Sequence, residues 1–234
     1  QFTQQFLFHE EDSSGIANNW VNTLMSDGDS LIWIGTYGGV SSVHIRTGEI
    51  RTYRTKHGIL PGNIVYAIAR DRNRKLWFGT TEGLAGYDEV TKKAEHYTID
   101  DGLPGNVICG ILDDEKGSLW ISTHTGISRY LMYEKRFVNH YSFDGLQGNE
   151  FSMGAAFKAR DGELIFGGIG GVSAFYPSNI IDQRAPLHIY LTGLNVLDRP
   201  VVSNQKSGRF TIIDRFIMDV EKIKLSHKIG RAHV

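Results

Sequence analysis

A single cysteine, Cys109, occurs among 234 residues, so no intrachain disulfide can staple the fold. It sits in an apolar run and reads as a buried, unpaired thiol, which says nothing about redox compartment. No apolar run approaches the roughly 20 residues that a membrane span needs. The net charge is −1 and no basic stripe is visible, which leaves nucleic-acid binding without support. The nine histidines are scattered without paired-ligand spacing, so neither a metal site nor a cofactor is expected. There is no Gly-x-Ser-x-Gly elbow for a nucleophile. The adjacent carboxylates Asp100-Asp101 and Asp113-Asp114 fall in turns and read as solvated turn residues, not a glycosidase pair. Sustained 3.6-residue periodicity, the mark of an amphipathic helix, is missing as well.

What the chain has is glycine, 27 residues of it, and a repeated phrase. Leu76-Trp77-Phe78-Gly79-Thr80 followed by Gly83-Leu84 returns as Leu119-Trp120-Ile121-Ser122-Thr123 with Gly126-Ile127. It stands earlier as Ile32-Trp33-Ile34-Gly35-Thr36 with Gly39-Val40, and later as Leu164-Ile165-Phe166-Gly167-Gly168 with Gly171-Val172. Anchor positions 33, 77, 120 and 165 are separated by 44, 43 and 45 residues. A second phrase keeps step: Gly58-Ile59-Leu60-Pro61-Gly62-Asn63, Gly102-Leu103-Pro104-Gly105-Asn106 and Gly145-Leu146-Gln147-Gly148-Asn149, with Gly15-Ile16-Ala17-Asn18-Asn19 a degraded copy.

Each period holds four short runs rich in β-branched and aromatic residues, bounded by Gly, Asp and Asn. Four strands per period of about 40–50 residues describe a propeller blade. The fold class is therefore all-β. Complete blades are expected at 19–55, 63–99 and 106–142, and a fourth from near Asn149 to near Tyr176. Residues Phe2 to His9 read as the outermost strand of a preceding blade. The repeated Trp is expected to fill the space between blades, where a large flat aromatic packs one sheet on the next.

The repeat stops at Pro177. Leu187 to Thr192 and Leu194 to Val202 read as strands of a new β module, with Asp198-Arg199-Pro200 as a turn. The expected division is a propeller segment at 1–180, the incomplete start of a β-sandwich at 184–227, and a tail at 228–234. That tail, Lys228-Ile229-Gly230-Arg231-Ala232-His233-Val234, resembles the translation of a sequencing adapter and is expected to pack against nothing.

Taken together, the Leu-Trp-x-Gly-Thr phrase, the following Gly-Leu and the Gly-Leu-Pro-x-Asn loop resemble the two-component regulator propeller, the extracytoplasmic sensor region of hybrid two-component systems and sensor histidine kinases. Gly148-Asn149-Glu150-Phe151 and Gly162 to Gly168 resemble its final blade, and residues from about 184 resemble the start of its Ig-like three-tyrosine domain. The family's sensors carry seven-bladed propellers, whereas about four blades are counted here. The resemblance implies a non-catalytic, carbohydrate-sensing segment in the periplasm, tethered to the inner membrane through a missing C-terminal part and homodimeric in the full receptor. The alternatives are a polysaccharide-acting propeller enzyme, lyase or hydrolase, and a protein-interaction scaffold.

Ligand residues, if present, should come from loops on one blade end: the loop entering the inner strand and the loop after the Trp strand. That selects Trp20, Tyr37, Glu82, His124, Asn149 and Glu150, with Trp20 and Tyr37 favoured because sugars stack on aromatic faces. The Asn of each Gly-Leu-Pro-x-Asn loop reads as a turn former, since Asn side chains cap their own backbone.

Overall fold

Runs of β-branched and aromatic residues broken by glycine form strands, and in the computed structural model they form little else. The structure describes residues 4–9, 15–180, 193–196, 199–207, 210–213, 223 and 232–233. Two compact units divide the chain, Gln1–Ile181 and Asp182–Val234.

The first unit is four consecutive blades of a β-propeller, each an antiparallel meander. Blade 1 is β1 (Val21–Asp27), β2 (Leu31–Thr36), β3 (Gly39–His44) and β4 (Ile50–Tyr53). Blade 2 is β5 (Val65–Arg70), β6 (Leu76–Thr80), β7 (Gly83–Asp88) and β8 (Lys93–Tyr97). Blade 3 is β9 (Ile108–Asp113), β10 (Ser118–Thr123), β11 (Gly126–Leu131) and β12 (Arg136–His140). Blade 4 has three strands among the described residues, β13 (Phe151–Lys158), β14 (Leu164–Gly168) and β15 (Gly171–Phe175). The inner strands β1, β5, β9 and β13 lie side by side.

The Trp phrase is the second strand of its blade, and period-two alternation sends its neighbours to opposite faces. Trp77 faces blade 3, among Leu119, Ile121 and Tyr130, while Leu76 and Phe78 face blade 1, around Trp33. Trp120 faces blade 4, with Phe166 and Leu164. All three tryptophans are fully buried. Burying one aromatic of this size contributes about 4–6 kcal/mol as an upper figure. Each meets an aromatic of its own fourth strand, Tyr53, Tyr97 or His140; Trp77 and Trp120 also meet one from the next blade's third strand, Tyr130 or Phe175, while the equivalent Tyr87 meets Tyr53.

Close approach of blades sets the small residues. A Cβ at Gly79 would lie 2.5 Å from Ile108 Cγ2 of the next inner strand. Blade 3 has Ser122 at that place and offsets it locally: Ser122 pairs with Gly110, where Gly79 pairs with Ala67.

Each blade joins the next through a loop with a single 3₁₀ turn, Thr55–His57, Ile99–Asp101 or Ser142–Asp144. The loop Asn then clips it. Asn63 Oδ1 accepts from Thr55 N at 3.0 Å, Asn106 Oδ1 from Ile99 N at 2.9 Å, and Asn149 Oδ1 from Ser142 N at 2.7 Å. Asn19 does the same for Phe8 N at 2.8 Å, so residues 4–9 enter blade 1 as a fourth strand's end enters the next blade.

In the second unit, β16 (Asn195–Val196), β17 (Arg199–Pro200) and β20 (Ala232–His233) form one small sheet, and β18 (Lys206–Ser207) with β19 (Phe210–Thr211) another. Leu194, Ile212 and Ile213 are its buried apolar residues. Arg199 and Pro200 pair with Val196 and Asn195, so they stand in a strand and not in the turn expected there. The strand expected at 187–192 and most of the expected sandwich lie outside the described residues. Of the tail, Ala232 and His233 pair with Val196 and Asn195, which departs from the expectation that it packs against nothing.

Candidate ligand-binding face

The loops entering the inner strands and the loops after the Trp strands do share one end of the blades. Tyr37 N donates to Trp20 O at 3.1 Å, Thr81 N to Ile64 O at 3.2 Å, and Ile169 N to Glu150 O at 3.3 Å. Position by position, Trp20 corresponds to Ile64, Val107 and Glu150, and Tyr37 to Thr81, His124 and Ile169.

Trp20 and Tyr37 meet. Their ring centroids are 5.0 Å apart with planes at 43°, and Trp20 is 66% and Tyr37 39% exposed. Trp20 N is held by Asn18 Oδ1 at 2.7 Å. A third ring, Tyr66, stands edge-on to Tyr37 at 6.3 Å and is itself buried. Tyr66 was not among the residues singled out in the sequence. It lies at a β-bulge, where β5 shifts register between Val65 and Ala67, and a bulge re-aims the side chain it carries. The corresponding bulge in β9 carries Cys109. Burial, and then the neighbouring Tyr37 phenol, raise the Tyr66 pKa, so the phenol stays a protonated donor at neutral pH.

The other expected residues are dispersed along the same blade ends. Glu82 is exposed beside the Gly62 loop, His124 is exposed one blade further, and Glu150 is exposed at the entry to β13. Asn149 is also exposed, but its carboxamide oxygen serves the loop, as in the other three copies. Cys109 is buried, and desolvation followed by the Glu150 charge pushes its thiol up to about 12, far from a reactive thiolate. Among the described residues no group of His, Cys, Asp and Glu could hold a metal ion.

The loops that carry the two rings are bridged by a cation, Arg54, that was not singled out in the sequence either. Arg54 Nε donates to Gly38 O at 3.2 Å and its Nη2 to Ala17 O at 3.1 Å. One guanidinium thus clips the loop that carries Tyr37 to the loop that carries Trp20. The signal for both Arg54 and Tyr66 was present in the chain, as places where one repeat breaks step with its copies.

Strands of this length, meander order and interlocking Trp phrase define a β-propeller. Residues 59–82 and 102–125 match the model of the two component regulator propeller family. Among solved structures, the chain is similar to the extracellular domain assigned to the hybrid two component system BT3049 from B. thetaiotaomicron, with 27% identity and a TM-score of 0.67. That match covers 86% of this chain and 27% of the other. The extracellular domain of BT4673 from the same organism matches at 20% identity and TM-score 0.55, over 69% of this chain and 21% of that one. Streptogramin B lyase, at 15% identity and TM-score 0.51 over 75% of this chain and 59% of that one, shares the fold. The chain thus spans about a quarter of the length of the two-component structures it matches. No curated protein matches it. Among the described residues no helix is long and apolar enough to cross a membrane.

Proposed function

We propose that this chain is part of the extracytoplasmic ligand sensor of a two-component histidine kinase, that its ligand is a carbohydrate, and that it binds without chemistry. The observation that carries the reading is the exposed Trp20–Tyr37 pair. Corresponding positions in the other blades hold Ile64 with Thr81, Val107 with His124, and Glu150 with Ile169, so the blade fold is built equally well without two rings there. An exposed pair of tilted rings that packing does not require suits the apolar face of a sugar. The similarity to the BT3049 extracellular domain supports a place outside the cytoplasm. The receptor is tethered to the inner membrane and works as a homodimer, and ligand shifts the balance between two arrangements by its differential affinity for them.

The test replaces Trp20 and Tyr37 together by Ala in the intact receptor. Loss of ligand-dependent signalling, with circular dichroism and melting unchanged, is the expected result. An unchanged ligand response removes the pair from the site. Cleavage of a polysaccharide by the wild-type protein overturns the sensor reading in favour of an enzyme.

A further inference from the structure

The aromatic pair is not alone in breaking the repeat. The loop beside it does so as well, and in charge. Each 3₁₀ turn is closed by a third-position side chain that accepts from the backbone N–H of its first flanking residue. In the later copies that side chain is a carboxylate: Asp101 Oδ2 accepts from Thr98 N and Asp144 Oδ2 from Tyr141 N, both at 2.8 Å. In the first copy it is an imidazole, with His57 Nδ1 accepting from Arg54 N at 3.0 Å. The residue before it is Lys56, against Asp100 and Phe143 in the other copies. The residue that opens the turn is Arg54, against Thr98 and Tyr141.

So the two later loops present Asp100, Asp101 and Asp144, and the first presents Arg54, Lys56 and His57. The basic loop is the one whose guanidinium clips the Trp20 and Tyr37 loops together. Arg54 is half-buried and Lys56 is exposed. Nothing in the capping geometry demands this reversal, since the acidic version closes the same turn twice. A cation that bridges the loops carrying two exposed rings, with an exposed lysine two residues on, is complementary to a sugar that carries a negative group.

We propose that the blade 1–blade 2 end takes an acidic oligosaccharide, stacked on Trp20 and Tyr37, with its carboxylate or sulfate towards Arg54 and Lys56 and with the buried Tyr66 ring supporting Tyr37 from behind. This rests on the carbohydrate reading above and adds the charge class of the ligand. Glu82, beside Gly62 at the far end of the same loop, and Glu150 on blade 4 lie on this blade end as well, and they repel an anion that strays from Arg54 and Lys56.

Trp20 gives the assay. It is 66% exposed while Trp33, Trp77 and Trp120 are 0–1% exposed, so acrylamide quenching of the whole chain reports on Trp20. The probes are hexagalacturonate and a sulfated galactan hexasaccharide against the uncharged hexasaccharides of β-1,4-linked glucose and xylose. Protection of Trp20 by an acidic probe, weakening as salt rises from 20 to 500 mM, is expected. Lys56→Glu, an exposed change, should weaken that binding about fivefold or more and leave the melt unchanged. Equal protection by the uncharged probes with no salt dependence overturns the acidic class and leaves the carbohydrate reading standing. Protection by none of the four overturns both.

Discussion

Asp71 is buried and accepts three hydrogen bonds, from Asn73 N at 2.8 Å, Lys75 N at 3.0 Å and Trp77 Nε1 at 2.9 Å. One carboxylate therefore closes the turn between the first two strands of blade 2 and anchors the inter-blade tryptophan. Asp114 closes the same turn in blade 3, accepting from Lys116 N at 2.8 Å and Ser118 N at 2.9 Å. There Trp120 Nε1 and Asp114 Oδ2 are both buried without a partner. A buried donor stripped of its acceptor costs about 1–3 kcal/mol. Asp71→Ala strands three donors and is expected to cost about 3 kcal/mol, with Asp114→Ala costing about 1 kcal/mol less. Urea unfolding of the two variants side by side checks this. Equal losses would show that the Trp77–Asp71 bond contributes nothing beyond the turn.

Between elements, cations bridge carboxylates across each blade junction. Arg70 on β5 meets Asp27 at the end of β1, and Lys158 on β13 meets Glu115 of the β9–β10 turn at 2.5 Å. Glu95 on β8 binds Lys75 of its own blade and reaches Lys135 of blade 3 at 3.0 Å. Hydrogen bonds from Lys75 and then Lys135 hold its carboxyl down at about 2. A carboxylate depressed in the folded state stabilises it above the unfolded value of about 4.3, and that contribution is lost as pH falls towards about 2. Because the Glu95 side chain is 41% exposed, solvent and salt screen the effect, and it is small. Melting temperature followed from pH 5 to 2 should fall more steeply for the wild type than for Glu95→Gln at low salt. Superimposable curves would remove the bridge from the account of stability.

At the scale of the propeller unit, blades contact chiefly their neighbours, with the inner strands β5 and β13 of blades 2 and 4 also meeting, so stability is close to a sum of blade terms and junction terms. Blades 2 and 3 have a described junction on both sides, and every residue of β6 and β10 is buried. Blades 1 and 4 keep exposed apolar residues on their strands, Leu24 at 64% in β1 and Phe157 and Val172 at 64% in β13 and β15. Amide hydrogen exchange should therefore rank β6 and β10 as most protected and β1 and β15 as least. A single uniform exchange rate across all four blades would show that the unit opens as one body instead.

The chain by itself determined the architecture, because a repeat states its own boundaries. Trp33, Trp77 and Trp120, each followed by a Gly-bounded turn, placed three four-stranded sheets and their packing faces, since strand alternation and glycine turns are local and recur in register. It also placed Trp20 and Tyr37 on a common end, because loop position follows from strand order. Tertiary structure alone decided what those residues meet. That Trp20 touches Tyr37, that a bulge turns Tyr66 towards Tyr37 and that Arg54 clips both loops are contacts between residues 16 to 37 positions apart, set by how the strands of blade 1 fold together and how blade 1 packs on blade 2. Local spacing carries no record of such distances. The same reason explains Asn149, whose part as a clip for Ser142 depends on where the preceding strand ends and not on the loop that contains it.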